Sequence, residues 1–258
     1  MRKLLRADLY RMYHNKKIWI ALLAMLSAAG MMISMQYSGM DYEVPLSRVI
    51  FLPMTFFGLV IAAYVGFFAG EDFSDGTVRN KIVTGNRRTD IFMSQMIGVW
   101  SACLVLYFLT VFVAVSVGLL LFEQNVGAGE IMTCFALGCF TVLAMGSIFY
   151  LISMGIGNRS AAVTVCMGLA FVMLFLCLHT NQILAQSQYK NGVLNPHYVS
   201  GVKRICHELL HDMNPMGQIA QLSEMKYLSP VRWIVSDVLW LLAALGIGTA
   251  VFGKKDIR

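Results

Sequence analysis

Long apolar segments alternate with short polar segments along this chain. Six apolar runs cover about residues 18–36, 49–70, 91–122, 131–157, 160–179 and 231–253. A helix of roughly 20 residues crosses about 30 Å of hydrocarbon, so each run is long enough to span a membrane. The runs are continuously apolar, whereas the strands of a barrel alternate apolar and polar residues. The predicted fold class is therefore an all-α membrane protein with six transmembrane helices.

The composition agrees with this pattern and adds one candidate residue. Of the 258 residues, 58% are hydrophobic and 13% are charged. No repeat, low-complexity tract or linker divides the chain, so residues 1–258 are predicted to form a single transmembrane domain. Asp237 is the one carboxylate inside the six runs. Intramembrane carboxylates usually face protein or water, so Asp237 is a candidate substrate-pathway residue; the alternative is an interfacial acid near Arg232.

Positive charges are distributed unequally between the two sides of the predicted bundle. The loops after spans 1, 3 and 5 hold five: Arg48, Lys190, Lys203, Arg204 and Lys226. The N-terminus, the other loops and the C-terminus hold fourteen: Arg2, Lys3, Arg6, Arg11, Lys16, Lys17, Arg79, Lys81, Arg87, Arg88, Arg159, Lys254, Lys255 and Arg258. The positive-inside rule predicts that both termini are cytoplasmic. The same distribution accounts for the net charge of +6 without a nucleic-acid partner.

The first residues of the chain predict an additional helix. Leu5, Leu9 and Met12 recur at helical spacing and are opposed by Lys3 and Arg6. This is typical of an amphipathic N-terminal helix at the inner membrane surface; the alternative is a basic flank to the first span. A cleaved signal peptide is a rival interpretation of the first run, but the run continues past the small residues that a peptidase would need.

The segment between spans 2 and 3 carries mixed charges and glycines. Its sequence predicts a short helix that starts near Ser74 or Asp75, with acidic residues around its first turn, and ends at Gly85. Because its two ends lead directly into two spans, such a helix could transmit force from a partner protein to the bundle.

At this segment the chain resembles the permeases of the type-2 ABC exporter class. An acidic residue, a Gly-Thr pair, basic residues, a glycine and an arginine follow one another there: Glu71, Gly76, Thr77, Arg79, Lys81, Gly85, Arg87 and Arg88. The resemblance implies that these residues form a cytoplasmic coupling helix that docks on a separate ABC ATPase subunit. That subunit would bind ATP and magnesium, while this chain would be a transport subunit without an ATPase site or cofactor of its own.

The resemblance also implies an assembly and a class of cargo. Two permeases, either identical or homologous, would enclose the pathway in the lipid of a bacterial inner membrane. The cargo would be hydrophobic or amphipathic, such as an antimicrobial peptide, a drug or a lipid. Helical segments between spans 5 and 6 close the outer end of the pathway in the family, and the sequence predicts helices there at about 200–213 and 217–227.

The first of these helices contains an alternative function. His207, Glu208 and His211 match the zinc-protease motif, in which two histidines bind zinc and the glutamate acts as general base. However, the same helix has a simple amphipathic pattern, and Arg204 is placed to pair with Glu208. The possible third ligands His197, Glu224 and Asp237 have no diagnostic spacing. The prediction is therefore an exporter subunit without a metal site, with a membrane zinc metalloprotease as the alternative.

Overall fold

The computed structural model describes residues 2–39, 44–190, 193–196 and 198–254. The helices are α1 (Arg2–His14), α2 (Lys16–Ser38), α3 (Phe57–Ser74), α4 (Thr77–Val83), α5 (Arg88–Leu121), α6 (Ala128–Gly155), α7 (Arg159–Leu184), α8 (Val202–Met213), α9 (Pro215–Ser223) and α10 (Pro230–Lys254). Two 3-10 helices, Leu46–Arg48 and Leu52–Phe56, precede α3, and β1 (Tyr189–Lys190) pairs antiparallel with β2 (Val193–Leu194). His197, Lys255 and Arg258 lie outside the described residues.

Within the described ranges, six segments are long and apolar enough to cross a membrane: Lys16–Ser38, Leu46–Ser74, Arg88–Leu121, Ala128–Gly155, Arg159–Leu184 and Pro230–Gly253. The prediction of a six-helix, multi-pass membrane protein is confirmed at this level. Spans 2 and 4 lie at the centre of the bundle. In an apolar stretch of 18 residues from each of these two spans, 67% and 61% are buried, against 22–33% in the other four spans.

The second span begins differently from the prediction. A continuous helix from about residue 49 was expected, but the α-helix α3 starts at Phe57 and follows two 3-10 helices. Pro53 lies in the first turn of the second 3-10 helix. Proline lacks an N–H donor, and its ring clashes with the carbonyl of the residue four positions earlier. An α-helix can therefore not continue through this position, although the segment remains apolar and partly helical.

Helices α3 and α7 approach each other closely at two glycines. A Cβ atom added to Gly66 would lie 2.9 Å from the Cα of Val163, and one added to Gly70 would lie 2.8 Å from the Cα of Arg159. Real Cβ atoms do not approach backbone so closely, so only glycine fits at either position. The two backbones are in direct contact along this seam, as at other small-residue contacts between membrane helices.

Helices α8 and α9 form a hairpin that descends between the spans. At the start of α8, the Arg204 guanidinium donates to the Leu184 carbonyl at the end of α7 (3.4 Å). At its end, the Asn214 side chain donates to the Met173 carbonyl (2.7 Å). Met173 precedes Leu184 by 184 − 173 = 11 residues, or about 16 Å of helix at 1.5 Å per residue. The predicted loop helices therefore reach into the depth of the spans alongside α7 and do not stay at its end.

Helix α8 buries polar residues near its end and exposes apolar ones. The two faces predicted for α8 are present, but His211 and Asp212 are buried. Four residues of the apolar side are exposed: Val202, Ile205, Leu209 and Met213. A helix that exposes apolar residues and buries polar ones is suited to a lipid environment, because lipid does not penalise exposed hydrocarbon, whereas the polar groups need protein partners.

Candidate functional site

The predicted coupling segment contains a helix, but its start differs from the prediction. Ser74 and Asp75 belong to the end of α3, and α4 begins at Thr77 with no acidic residue in its first turn. Gly76 adopts a left-handed conformation (φ 68°) between the two helices. Glycine accepts this conformation without steric cost, so the chain turns here and not at Ser74. Gly85 is also left-handed (φ 88°) and follows the end of α4, as predicted.

A buried ion network joins α4 to α1, α3 and α5. Lys81 of α4 pairs with Asp8 of α1, at 2.5 Å between Nζ and Oδ1. Arg11 of α1 pairs with Asp72 of α3, and Lys81 lies 4.0 Å from the same carboxylate. We call these four residues the α1–α4 ion network. Both carboxylates are almost completely buried, so each needs its partners to offset the loss of hydration.

Polar side chains of α5 complete the coordination of the two carboxylates. The Ser94 hydroxyl donates to Asp8 (2.6 Å). The Gln95 amide donates to Asp72 through Nε2 and accepts from the Tyr150 hydroxyl of α6 at 2.9 Å. Burial disfavours the charged form of Arg11, but the hydrogen bond and the charge of Asp72 outweigh this and raise the pKa of Arg11. Arg11 therefore keeps its positive charge within the packed end of the bundle.

Helix α1 contacts the bundle through a different face from the one predicted. Leu5, Leu9 and Met12 were expected to form the apolar face, but Leu4, Asp8 and Met12 are the buried residues. Leu5 and Leu9 are only partly buried. The buried face differs from the predicted one because it includes Asp8. The carboxylate of Asp8 can be buried since Lys81 pairs with it and Ser94 donates a hydrogen bond to it. The helix is therefore packed against α5 through a polar anchor.

Glu71, the first predicted coupling residue, belongs to a second cluster. Its carboxylate pairs with Lys17 at the start of α2 and with Arg159 at the start of α7, the latter at 3.2 Å. The Lys17 ammonium also lies 5.3 Å from the centroid of the Phe67 ring, within cation–π range. Glu71 thus links three spans at the end of the bundle that carries α4.

Two further predicted coupling residues, Arg79 and Arg87, lie on the outward surface of the segment. Arg79 and Arg87 are exposed, and Val83 is 78% exposed on the same short segment. Arg88 is partly buried and donates to the Gly253 carbonyl at the end of α10 (3.3 Å). We call Arg79, Val83 and Arg87 the α4 ridge. The predicted set therefore divides into residues that anchor α4 and residues that a partner can reach.

Asp237, the predicted pathway residue, is fully buried among α6, α9 and α10. The Thr141 hydroxyl of α6 donates to it at 3.4 Å. Arg232, the expected neighbour, instead pairs with Asp212 (3.2 Å) and Glu208 (3.6 Å). A role of Asp237 in a substrate pathway stays a prediction.

The three side chains of the protease motif are directed to different partners. His211 is buried and shares a hydrogen bond with the Thr180 hydroxyl through Nδ1 (2.8 Å). Glu208 pairs with Arg204 (3.4 Å), as predicted, and also with Arg232. His207 lies beside His179, with ring centroids 6.2 Å apart. Burial lowers the pKa of His211, although the charge of Asp212 opposes this.

No group of three or more His, Cys, Asp or Glu side chains arranged to hold a metal was found in the part of the chain that the structure describes. His197, one possible third ligand, lies outside that part. The zinc-protease alternative stays a prediction that a metal assay can test.

Sequence analysis missed the residues that anchor α4. Asp8, Asp72 and Gln95 were not among the candidates, yet their side chains lie at the centre of the network. One signal was available, because Asp8 falls between Leu4 and Met12 at intervals of four residues, on what becomes the buried face. An acid on an otherwise apolar helical face predicts a buried partner, but the sequence does not indicate which residue it is.

No protein-family model matches this chain, and no curated protein matches it. The functional argument therefore depends on the sequence pattern and on the contacts described above.

Proposed function

We propose that this chain is the transmembrane permease subunit of a bacterial ABC exporter, with α4 as the helix that receives a separate ATPase. The observation that carries the proposal is the division of the α4 segment into an exposed basic and apolar ridge and a buried charged anchor. A helix of seven residues between two spans has no core of its own, so the ion network supplies the rigidity needed to transmit force.

The ridge offers the chemistry of a protein docking surface. Arg79 and Arg87 flank Val83, and all three are exposed. Arginine with a central apolar contact is typical of residues that dominate binding between proteins. The ion network on the opposite side of α4 would carry a displacement of the ridge to α1, α3 and α5 together.

The charge distribution supports a cytoplasmic position for the ridge. By sequence position, fourteen of the twenty Lys and Arg residues fall before span 1, in the loops after spans 2 and 4, and after span 6. By the positive-inside rule the end of the bundle that carries α1 and α4 faces the cytoplasm, and the hairpin of α8 and α9 enters from the opposite side. A bacterial inner membrane is the location that this proposal assigns.

The proposal includes a second permease, either identical or homologous. Exposed apolar side chains on α2, α7 and α10, such as Leu23, Phe175 and Leu239, would face lipid or that partner. Six spans supply half of an enclosed pathway, and the cargo would be a hydrophobic or amphipathic peptide, drug or lipid. ATP and magnesium belong to the ATPase in this scheme.

Co-purification tests the proposal, with the product of any ABC ATPase gene that adjoins the gene for this chain as the partner. The variant Arg79→Ala/Val83→Asp/Arg87→Ala removes the ridge without touching the ion network, so it should fold normally but lose most of the bound ATPase. The matched control is Arg48→Ala/Lys203→Ala, which removes two exposed positive charges at the other end of the bundle. This control should retain the ATPase in full.

Zinc content is measured in the same samples. Failure of the wild type to bind the ATPase, together with about one zinc per chain that is lost in His207→Ala, the count for a single motif of this kind, would instead support the metalloprotease. If the ridge variant and the control lost the ATPase equally, the wild-type chain would still be shown to bind an ATPase. The docking surface would then not be assigned to α4.

A further inference from the structure

A groove on the surface of the bundle runs between helices α2 and α3. It has a volume of about 390 Å³, and its apolar lining is Ile20, Ala21 and Ala24 of α2 and Val60, Ala63 and Phe67 of α3. The three alanines leave space that larger side chains would fill. Ile20, Ala24 and Phe67 are exposed, so the groove is open to whatever surrounds the spans. Tyr64 also lines it, but the Tyr64 hydroxyl is fully buried, so this residue offers its ring to the groove.

The groove runs along the two spans and has one charged end. Lys17 lines that end, where its ammonium lies 5.3 Å from the centroid of the Phe67 ring. Ala24 and Val60 line the other end. Residues 17–24 of α2 and 60–67 of α3 each rise about 10 Å, which is two thirds of the roughly 15 Å of hydrocarbon in one leaflet. The groove therefore has the direction and depth that suit part of a lipid acyl chain.

The charged end of the groove carries an excess of positive charge. Lys17 and Arg159 contact the same atom, Oε1 of Glu71, and one carboxylate neutralises only one of the two cations. The neighbouring α1–α4 ion network contains two cations and two carboxylates, so it does not offset the excess. Lys16, next to Lys17 in the chain, is exposed and adds a further positive charge. The Arg159 side chain is 48% exposed, so an anion from outside the protein can reach it.

Trp19 indicates that this end of the groove lies at the level of lipid headgroups. It is 60% exposed, and its indole N–H donates to the Tyr13 carbonyl at 3.1 Å. Tryptophan is enriched where a membrane protein crosses from headgroups to hydrocarbon. Lys17 precedes Trp19 in the first turn of α2. The groove therefore begins beside the headgroups and continues into the hydrocarbon.

We infer that the groove binds one anionic phospholipid, with an acyl chain between α2 and α3 and the phosphate beside Lys17 and Arg159. The apolar walls and the charged end together fit an amphiphile. A zwitterionic phospholipid brings a cation of its own, so it does not offset the excess positive charge, whereas an anionic one does. Basic sites between membrane helices bind anionic headgroups for the same reason. The site does not depend on the proposed ATPase partner.

Native mass spectrometry of the full chain in detergent tests the site, with phosphatidylglycerol and phosphatidylcholine as the two probes. The wild type should bind one phosphatidylglycerol about fivefold more tightly than phosphatidylcholine, which is the effect of one basic residue near an anionic headgroup. Equal affinities for the two lipids overturn the inference.

The variant Ala24→Leu/Ala63→Leu tests the groove. It fills the groove with side chains and leaves the charges in place, so it should lose most of the bound phosphatidylglycerol. The matched control is Ala243→Leu/Ala250→Leu, which likewise enlarges one partly exposed and one exposed alanine, but on α10. This control should bind phosphatidylglycerol as the wild type does. Equal binding by the groove variant and the control would show that no acyl chain occupies the groove.

The variant Lys17→Gln tests the charged end. It leaves Glu71 paired with Arg159, so the affinity for phosphatidylglycerol should fall about fivefold, to that for phosphatidylcholine. Lys3→Gln, which removes an exposed cation of α1, is the control and should keep the preference. Equal losses in the two variants would contradict the placement of the phosphate beside Lys17. A wild-type dimer without bound phospholipid, which Ala24→Leu/Ala63→Leu dissociates, would show that a second copy of the chain fills the groove and would overturn the inference.

Discussion

Lys81 and Asp8 form an ion pair at 2.5 Å although they are 73 residues apart in the chain. The Asp8 side chain is only 2% exposed, so removal of its partner leaves a buried charge. We predict that Lys81→Ala lowers the free energy of unfolding by about 3 kcal/mol, the lower end of the range for a broken buried pair. Thermal unfolding in detergent should show a Tm lower by roughly 6 to 12 °C.

The double variant Asp8→Asn/Lys81→Met should recover part of this loss, because it removes both charges and keeps a polar group for Ser94. Arg79→Ala is the matched control, since it removes an exposed charge from the same helix. A Tm for Lys81→Ala no lower than that of Arg79→Ala would show that the pair does not hold α4.

Adjacent acids at the end of α3 should differ strongly in their effect on stability. Asp72→Ala leaves the buried Gln95 amide and the partly exposed Arg11 without their shared acceptor, so we expect a loss of about 2 to 3 kcal/mol. Glu71→Ala breaks pairs with Lys17 and Arg159 that are partly exposed to solvent, so we expect a loss of no more than about 1 kcal/mol. Urea unfolding of the two variants, compared at equal detergent concentration, measures the difference. Equal losses would contradict the assignment of Asp72 to the core of the network.

Acid should destabilise the hairpin through His211. Burial lowers the pKa of this histidine in the folded protein, so the unfolded chain binds a proton more readily. His211 therefore makes its full contribution to the free energy of unfolding above the ordinary histidine pKa of about 6.5. This contribution falls as the pH drops below that value. Burial raises the pKa of the neighbouring Asp212, which acts in the opposite sense, so the comparison between variants isolates the histidine.

The wild-type Tm should fall by a few degrees between pH 7.5 and pH 5.5, and His211→Gln should remove most of this change. His207→Gln, at a partly exposed position on the same helix, should leave it intact. An unchanged pH profile in His211→Gln would show that another group is responsible.

Cys206 should report whether the apolar side of α8 faces lipid. It is the one exposed cysteine of the six, and it shares a side of the helix with Val202 and Leu209. A water-soluble maleimide does not enter hydrocarbon, so it should label Cys206 much more slowly than a cysteine introduced at the exposed Ser200. Mass spectrometry of the labelled protein measures both rates, and equal rates would place α8 in water.

The spans were predicted well from the sequence because each apolar residue of a run adds to the evidence for a membrane helix, wherever the helix packs. Run lengths and apolar content identify six spans whatever their packing, and the observed bounds differ from the predicted ones mainly at the ends and at Pro53. The position of α4 was also predictable from Gly85, but its start at Thr77 depends on the conformation of Gly76. A glycine permits a turn without requiring one.

Pairings between distant helices could not be predicted in the same way. The contacts of Asp8 with Lys81 and of Asp237 with Thr141 arise from the arrangement of whole helices in space. The faces of α8 were predictable from periodicity, whereas the choice of which face is buried depends on the solvent. In lipid that choice is reversed, so His211 and Asp212 point inward.

The glycine seam between α3 and α7 determines which parts of this protein can move independently. Because backbone meets backbone at Gly66 and Gly70, the two helices cannot slide past each other without separating. Arg159 at one end of α7 is tied to Glu71, and Met173 and Thr180 towards the other end are tied to the hairpin. Helices α3 and α7 are therefore expected to move together as one rigid unit across the membrane. A tilt of this unit at the α4 end would displace the hairpin at its opposite end.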